Sequence, residues 1–397
     1  MKFTPCSAVI RKVILPGIAK FQMKFLISLN ILFLLLLNPP LPSNDTSFFL
    51  KDGISCSTHL SISVVPYRII SIMVTDFWPA MALMLTFHVT RQMKEPSSMK
   101  AKGYNAIHIN ALYDITNKTY CDFLVQGKKK LHERSALNTM IDRCSDPVRT
   151  ILMADRAYES FNTFAHLIRK GMYFVIRMKD INSNGILSAY DLPDSEFDTH
   201  IRTTLTRRHT KETLGNPNTY TILQPSTDFD FLDENCMYYD IEFRIVRIRL
   251  DNVTYIRIAN NLSEEEFPLE EINKLYRMRW SEETSFRELK YTISLINWHS
   301  SKYDGILQEI NARMILYNFC ELVTSHSVVK TSKNTKHAYK INFAIAVNIC
   351  RAYLKHGGNE TETMLLIQKY LTPVRYNRKY PIHLRPKRNR DFMYRVA

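Results

Sequence analysis

The sequence predicts an α/β chain in which helices cover a mixed sheet, and three observations carry that expectation. Residues 150–154 (TILMA) are a short, wholly apolar run, the pattern of a strand buried on both faces. A helical stretch follows as far as Lys170, Gly171 stops it, and a second buried run occupies residues 172–176. Two strand-like runs, 106–113 (AIHINALY) and 119–126 (TYCDFLVQ), precede this unit, with Thr116, Asn117 and Lys118 as the turn between them. An antiparallel pair followed by strand–helix–strand is a layered α/β arrangement.

The remaining elements follow in order. Residues 132–143 have Ala136, Met140 and Ile141 at helical spacing behind Leu131. From about 183 to 258 the rhythm breaks, and stretches such as 241–250 (IEFRIVRIRL) and 255–259 alternate apolar with polar residues, which reads as a mostly β insertion. Helix returns at Leu269 and runs, with breaks, through Tyr291, and residues 307–324 form a strongly apolar helix. Residues 371–397 hold eight basic residues against one acid, Asp391. Tyr376, Tyr380 and Tyr394 are interleaved there, a pattern suited to neutralising a nucleic-acid backbone and stacking on bases. The first 102 residues differ from all this. They contain four of the 38 acids and seven of the 16 methionines, and show no sustained period.

Composition narrows the function. With 45% hydrophobic and 11% aromatic residues among 397, the chain buries a sizeable core and is neither disordered nor fibrous. The excess of 53 basic over 38 acidic residues gives +15, which points to a polyanionic partner, nucleic acid before membrane. Ten glycines and no GxGxxG or GxxxxGK[ST] argue against a glycine-rich phosphate loop. Seven scattered cysteines without a CxxC pair suggest neither a disulfide framework nor a zinc site, and fit reduced thiols in a cytoplasmic protein. The apolar run 25–37 is shorter than the roughly 20 residues a membrane span takes. It resembles a signal-peptide core, but no small-x-small cleavage site precedes Pro39 and Pro40, so secretion is not expected.

Two features carry chemistry. Asp155 stands at the carboxyl end of a central parallel strand, where α/β folds place ligands, and equally where it would cap the next helix. Further on, Tyr276, Arg279, Glu283 and Lys290 fall within roughly 60° of one another at about 100° per residue, so a continuous α-helix sets them on one face. Arg279 and Glu283 are also spaced as a helical ion pair, which leaves a solvated face as the plainer reading.

Tyr-x2-Arg-x3-Glu-x6-Lys at these four positions resembles the signature of the insertion-sequence-four class of transposases, bacterial DDE enzymes with an RNase-H-like core. NALYD (110–114), ADRAYES (154–160), RW..ETSFRELK (279–290) and Asn297-Trp298-His299-Ser300 are similar to that family as well. The likeness runs from Gly103 to about Thr324. Two positions depart from it: Ala157 stands where the family has Gly, and Glu282 replaces an apolar residue.

The resemblance implies an RNase-H-like catalytic domain over 103–325, with the β insertion between Asp155 and Glu283, and a helical, basic, DNA-contacting region over 326–397. It implies a cytoplasmic, Mg²⁺-dependent enzyme of cut-and-paste DNA transposition that acts on double-stranded DNA, both transposon ends and target, with a homodimer in synapsis. Asp155 and Glu283 would be catalytic and hold two Mg²⁺ ions, with Mn²⁺ as a substitute. Tyr276, Arg279, Lys290 and Arg156 would contact DNA. A catalytically inactive DNA-binding remnant is the alternative. The first quarter bears on that choice, because the family's first catalytic Asp belongs on the strand before 106–113. In frame, only Asp76 follows an apolar run there (69–74), without the Asp-Gly-Ser context. Residues 73–102 read instead like a frame-shifted version of that block, with the family's frame resuming at Gly103, so residues 1–102 are expected to be poorly folded.

Overall fold

The computed structural model describes residues 68–73, 85–87, 105–127, 132–250, 254–295, 299–300, 302–327 and 338–374. Its first part comprises β1 (Arg68–Met73), β2 (Leu85–Phe87), β3 (Asn105–Asp114), β4 (Thr119–Gly127), α1 (Glu133–Asp142), β5 (Thr150–Ala154), α2 (Phe161–Lys170) and β6 (Tyr173–Arg177). The strands lie in the order β4-β3-β1-β5-β6, with β1, β5 and β6 parallel and β3 antiparallel to both its neighbours. That order and those directions are an RNase-H-like core. The short β2 pairs with the first residues of β3.

Local chemistry explains these boundaries. The turn between β3 and β4 closes with the Asn117 N–H donating to Asp114 Oδ1 at 2.9 Å and Lys118 at φ 55°. In α1 the Ser135 N–H donates to His132 Nδ1 at 3.1 Å, and α2 ends on Gly171 at φ 71°, a conformation that favours glycine.

The β insertion is continuous with the core sheet. β7 (Phe197–Thr206), α3 (Lys211–Gly215), β8 (Tyr220–Ile222), β9 (Tyr238–Arg249) and β10 (Tyr255–Asn260) follow, and β10 pairs antiparallel with β6. The order β6-β10-β9-β7-β8 extends the sheet to ten strands among the described residues.

Alternation along the strands divides the interior in two. Ile107, Ile109, Ile151, Met153 and Val175 enter one core, while Ile70, Leu112, Leu152, Ala154, Phe174 and Ile176 enter the other. α1 and α2 cover the second face. The first is covered by α4 (Leu269–Arg277), α5 (Trp280–Arg287), α6 (Tyr303–Ser325) and α7 (Phe343–His356). α8 (Glu360–Lys369) packs on α7, and β11 (Ala338–Ile341) pairs with β12 (Leu371–Val374) as a small separate sheet that the sequence reading lacked. The edge strand β4 is tied to α6 by Asn318, which accepts from the Tyr120 N–H and donates to the Tyr120 carbonyl, both at 2.8 Å.

The stretch from Leu269 to Tyr291 is helical with breaks, as expected: α4 ends before Met278, Met278 and Arg279 keep right-handed helical dihedrals with tighter backbone bonds, and Glu288–Thr292 is a π-helical turn. The tightened turn advances the angular phase and the π turn retards it, and Tyr276 and Lys290 are both buried. Of the first 102 residues, β1 and β2 are described, and β1 is a central strand with Ile70 only 1% exposed. The run 25–37, Asp76, most of 73–102 and the basic run 375–397 lie outside the described residues. Among the described residues no helix is long and apolar enough to cross a membrane.

Candidate catalytic and nucleic-acid site

The carboxyl ends of the three parallel strands form a row. β1 pairs with β5 through Ser71 and Met153, and β5 with β6 through Ala154 and Ile176. Continuing both registers sets Met73, Asp155 and Arg177 side by side. Asp155 remains extended, at φ −80° and ψ 172°, and follows Ile151 and Met153 in the alternation toward the face covered by α4 to α7. One of its oxygens accepts the Arg156 N–H at 2.7 Å, so it caps the 3₁₀ turn Arg156–Tyr158. The second oxygen makes no hydrogen bond among the described residues. The capping role thus occupies one carboxylate oxygen and not the other.

Over that row stands the end of α4. Ile272, Leu275 and Tyr276 are its buried side, and at Met278 and Arg279 the chain stays helical but tightens to bonds from each N–H to the carbonyl three residues back. The Arg279 guanidinium lies 5.7 Å from the Tyr276 ring centroid. Burial pushes the Tyr276 phenol above its ordinary range, and Asp155 adds to this, while Arg279 and Arg177 pull it down. Asp155, Arg177, Tyr276 and Arg279 therefore share one electrostatic environment, although they come from three elements distant in sequence.

Glu283 lies one helical turn beyond Arg279 on α5, a helix that packs against β1. Lys290 is on the π turn, 6% exposed, with its ammonium 4.6 Å from the Phe286 ring centroid. Burial pulls that ammonium down to about 8. Arg156, next to Asp155, is exposed and lines a cleft of about 330 Å³ together with Arg177, Lys179, Asp180, Tyr255 and Arg257. Arg177, Lys179 and Arg257 were missed in the sequence. A signal for Arg177 existed, since it ends an apolar parallel strand just as Asp155 does.

Asp155 suits a hard divalent cation, which takes oxygen ligands. The position beside it in the row is Met73, whose thioether is a soft ligand that such a cation does not select. Among the described residues no group of three His, Cys, Asp or Glu is placed to hold a metal ion.

Residues 84–319 match the family model described as transposase DDE domain. No curated protein matches the chain. Among solved structures, the cryo-EM structure of the piggyBac transposase synaptic complex with hairpin DNA is similar to it at 9% identity and a TM-score of 0.41. That likeness covers 76% of this chain and 54% of the other, so the chain spans about half of that protein's length.

Proposed function

The chain belongs to the transposase DDE domain family, and on that premise we propose a cut-and-paste transposase of the insertion-sequence-four class. It acts on double-stranded DNA at the terminal repeats of a bacterial insertion sequence and at the target. The supporting observation is the convergence of Asp155, Arg177, Tyr276 and Arg279 at the carboxyl ends of the parallel strands, where α/β sheets bind their ligands.

In this reading Asp155 and Glu283 would hold two Mg²⁺ ions, with Mn²⁺ able to replace them. Ions held there would supply charge stabilisation for phosphoryl transfer. Arg279 and Lys290 neutralise backbone phosphates, Tyr276 meets a terminal phosphate or a displaced base, and Arg156 touches the strand beside Asp155. Water attacks first and frees a 3′-hydroxyl, which then attacks the opposite strand and later the target. Two ends held together imply a homodimer in synapsis.

A second reading, an inactive DNA-binding remnant, is favoured by one observation. The row position that borders Asp155 on β1 holds Met73, where the catalytic centre calls for a carboxylate. A frame shift across 73–102, with the displaced Asp codon straddling Ala80 and Met81, would explain the missing first Asp. The experiment uses labelled duplex carrying a terminal repeat, with Mg²⁺, read for binding and for nicking. The chain as written is expected to bind without nicking, and a chain with the frame restored to nick. Asp155→Asn in the restored chain should lose more than about 100-fold of the cleavage, the most an outer-shell partner of a metal costs, while binding persists. Substantial cleavage by that variant sinks the catalytic assignment, and nicking by the chain as written sinks the remnant.

A further inference from the structure

The cleft beside Asp155 concentrates positive charge. Arg156, Arg177, Lys179 and Arg257 line it, with Asp180 as the one acidic residue among the lining side chains. Arg257 comes from β10 and is largely enclosed, its side chain 11% exposed. Its Nη2 lies 2.8 Å from Asp180 Oδ2 and its Nη1 donates to the Tyr255 carbonyl at 3.2 Å. Its Nε is buried and has no hydrogen-bond partner among the described residues. Burial lowers the affinity of this guanidinium for its proton, and the neighbouring charges of Arg247 and Arg177 lower it further than Asp180 alone would leave it. Arg247 lies 4.3 Å over the Tyr255 ring and crowds the same corner.

Such an arrangement is not a stability device. Cations gathered around one half-exposed carboxylate repel one another, and a partly exposed ion pair returns little. An anion entering the cleft removes the repulsion.

The cleft is also built in advance. Glu159, 5% exposed, accepts the Lys179 N–H at 2.6 Å and the Ile186 N–H at 2.5 Å, one with each carboxylate oxygen. The Met178 N–H donates to the Arg257 carbonyl at 2.8 Å. These bonds fix the loop carrying Lys179 and Asp180 against the turn that follows Asp155. Gly185 permits the closure, because a Cβ there would meet Glu159 Oε1 at 2.5 Å and the Lys179 Cβ at 3.0 Å.

We infer that this cleft is a phosphate subsite for a DNA strand, holding a backbone phosphodiester next to the one at Asp155. Its volume exceeds what a lone phosphate needs and reaches the lower range of organic-ligand pockets. Arg177 belongs to both places, since it stands in the row with Asp155 and lines the cleft. The inference rests on the transposase reading for the identity of the strand.

The test measures binding of a fluorescein-labelled duplex to the full chain by anisotropy, across a salt series and in EDTA. Lys179→Gln should weaken binding and flatten the slope of log K against log salt by about 0.9, one phosphate contact. Asp180→Asn should act in the opposite direction, binding several-fold tighter, because it removes the anion's competitor. Circular dichroism identifies any variant that fails to fold, and Lys179→Met stands in if Lys179→Gln does so. A natively folded Lys179→Gln with an unchanged slope overturns the subsite. Weaker binding by Asp180→Asn also overturns it, because the carboxylate would then merely hold Arg257 in place. Inorganic phosphate is the second probe: protection of the cleft by phosphate that duplex does not displace overturns the assignment to DNA. The measurement needs no cleavage, so failure of the catalytic reading leaves it intact.

Discussion

Leu152 and Met153 are neighbours on β5, yet the cores they enter differ in kind. Leu152 faces α1 and α2, where regular helices close an interior of Leu137, Met140, Phe164, Leu167 and Phe174. Met153 faces α4 to α7, where the covering helix breaks at Met278, passes through a π turn and encloses Tyr276, Lys290 and Glu321 beside its apolar residues. On the Leu152 side the buried ionisable groups are paired, as His166 is between Asp142 and Asp230. The other side accepts irregular helix and groups whose charge burial opposes, Lys290 and Glu321, which cost stability unless function uses them.

The regular side should respond to substitution in the way a core does. Phe164 is fully buried, stacked on Phe174 with centroids 5.0 Å apart and tilted against Phe243 at 5.3 Å. Phe164→Ala should cost about 3–5 kcal/mol in urea unfolding, from lost transfer energy and the cavity left behind. A loss below about 1 kcal/mol would erase the contrast between the two faces.

The irregular side should show its cost through pH. Glu321 on α6 is buried, accepts from the Tyr317 hydroxyl at 3.3 Å, and is pushed up to about 7, first by burial and then by the charge of Glu288. Burial raises Glu288 as well. Lys118 and Lys340 act on both carboxyls in the other direction. The folded state thus holds the Glu321 proton more tightly than the unfolded state between its ordinary value of 4.5 and about 7. The resulting stability is full below that window and is lost as pH rises through it, by roughly 3 kcal/mol. Glu321→Gln should therefore leave stability nearly unchanged at about pH 4 and raise it by about that amount at about pH 8. Equal effects at the two pH values would mean that the carboxyl is solvated.

The same contrast governs what could be read from the sequence. Residues 105–177 follow local signals: alternation in β3, an apolar run in β5, a left-handed glycine after α2. The boundaries expected there fall within a residue or two of the observed ones. Breaks between Leu269 and Tyr291 were expected, but their places, a tightened turn after Arg277 and the π turn at Glu288–Thr292, carry no such signal, because neither glycine nor proline marks them and tertiary packing selects them. β11 and β12 pair across two intervening helices, a contact no local window contains. Asp155 was legible as an acid ending a buried strand, whereas Glu283 was legible only through the family signature. The cleft was not legible, since Arg156, Lys179 and Arg257 meet only once β10 pairs with β6.

The smallest expected effect separates the two cations on the irregular side. Arg279 keeps its charge at any pH the protein survives. Lys290 does not, because burial lowers its ammonium to about 8. In duplex binding at about pH 6.5 both should contribute one phosphate contact, so Arg279→Met and Lys290→Met should each flatten the salt slope by about one unit. At about pH 9.5 the free protein has already lost the Lys290 proton, and capturing one from solution on binding consumes the free energy the contact returns. The Lys290→Met chain should then bind like its parent, while the Arg279→Met deficit persists. A Lys290 deficit equal at both pH values would mean that bound DNA, rather than the apolar wall around Phe286, sets the charge of that side chain. A deficit at neither would place Lys290 wholly within the packing of the π turn and remove it from the DNA surface.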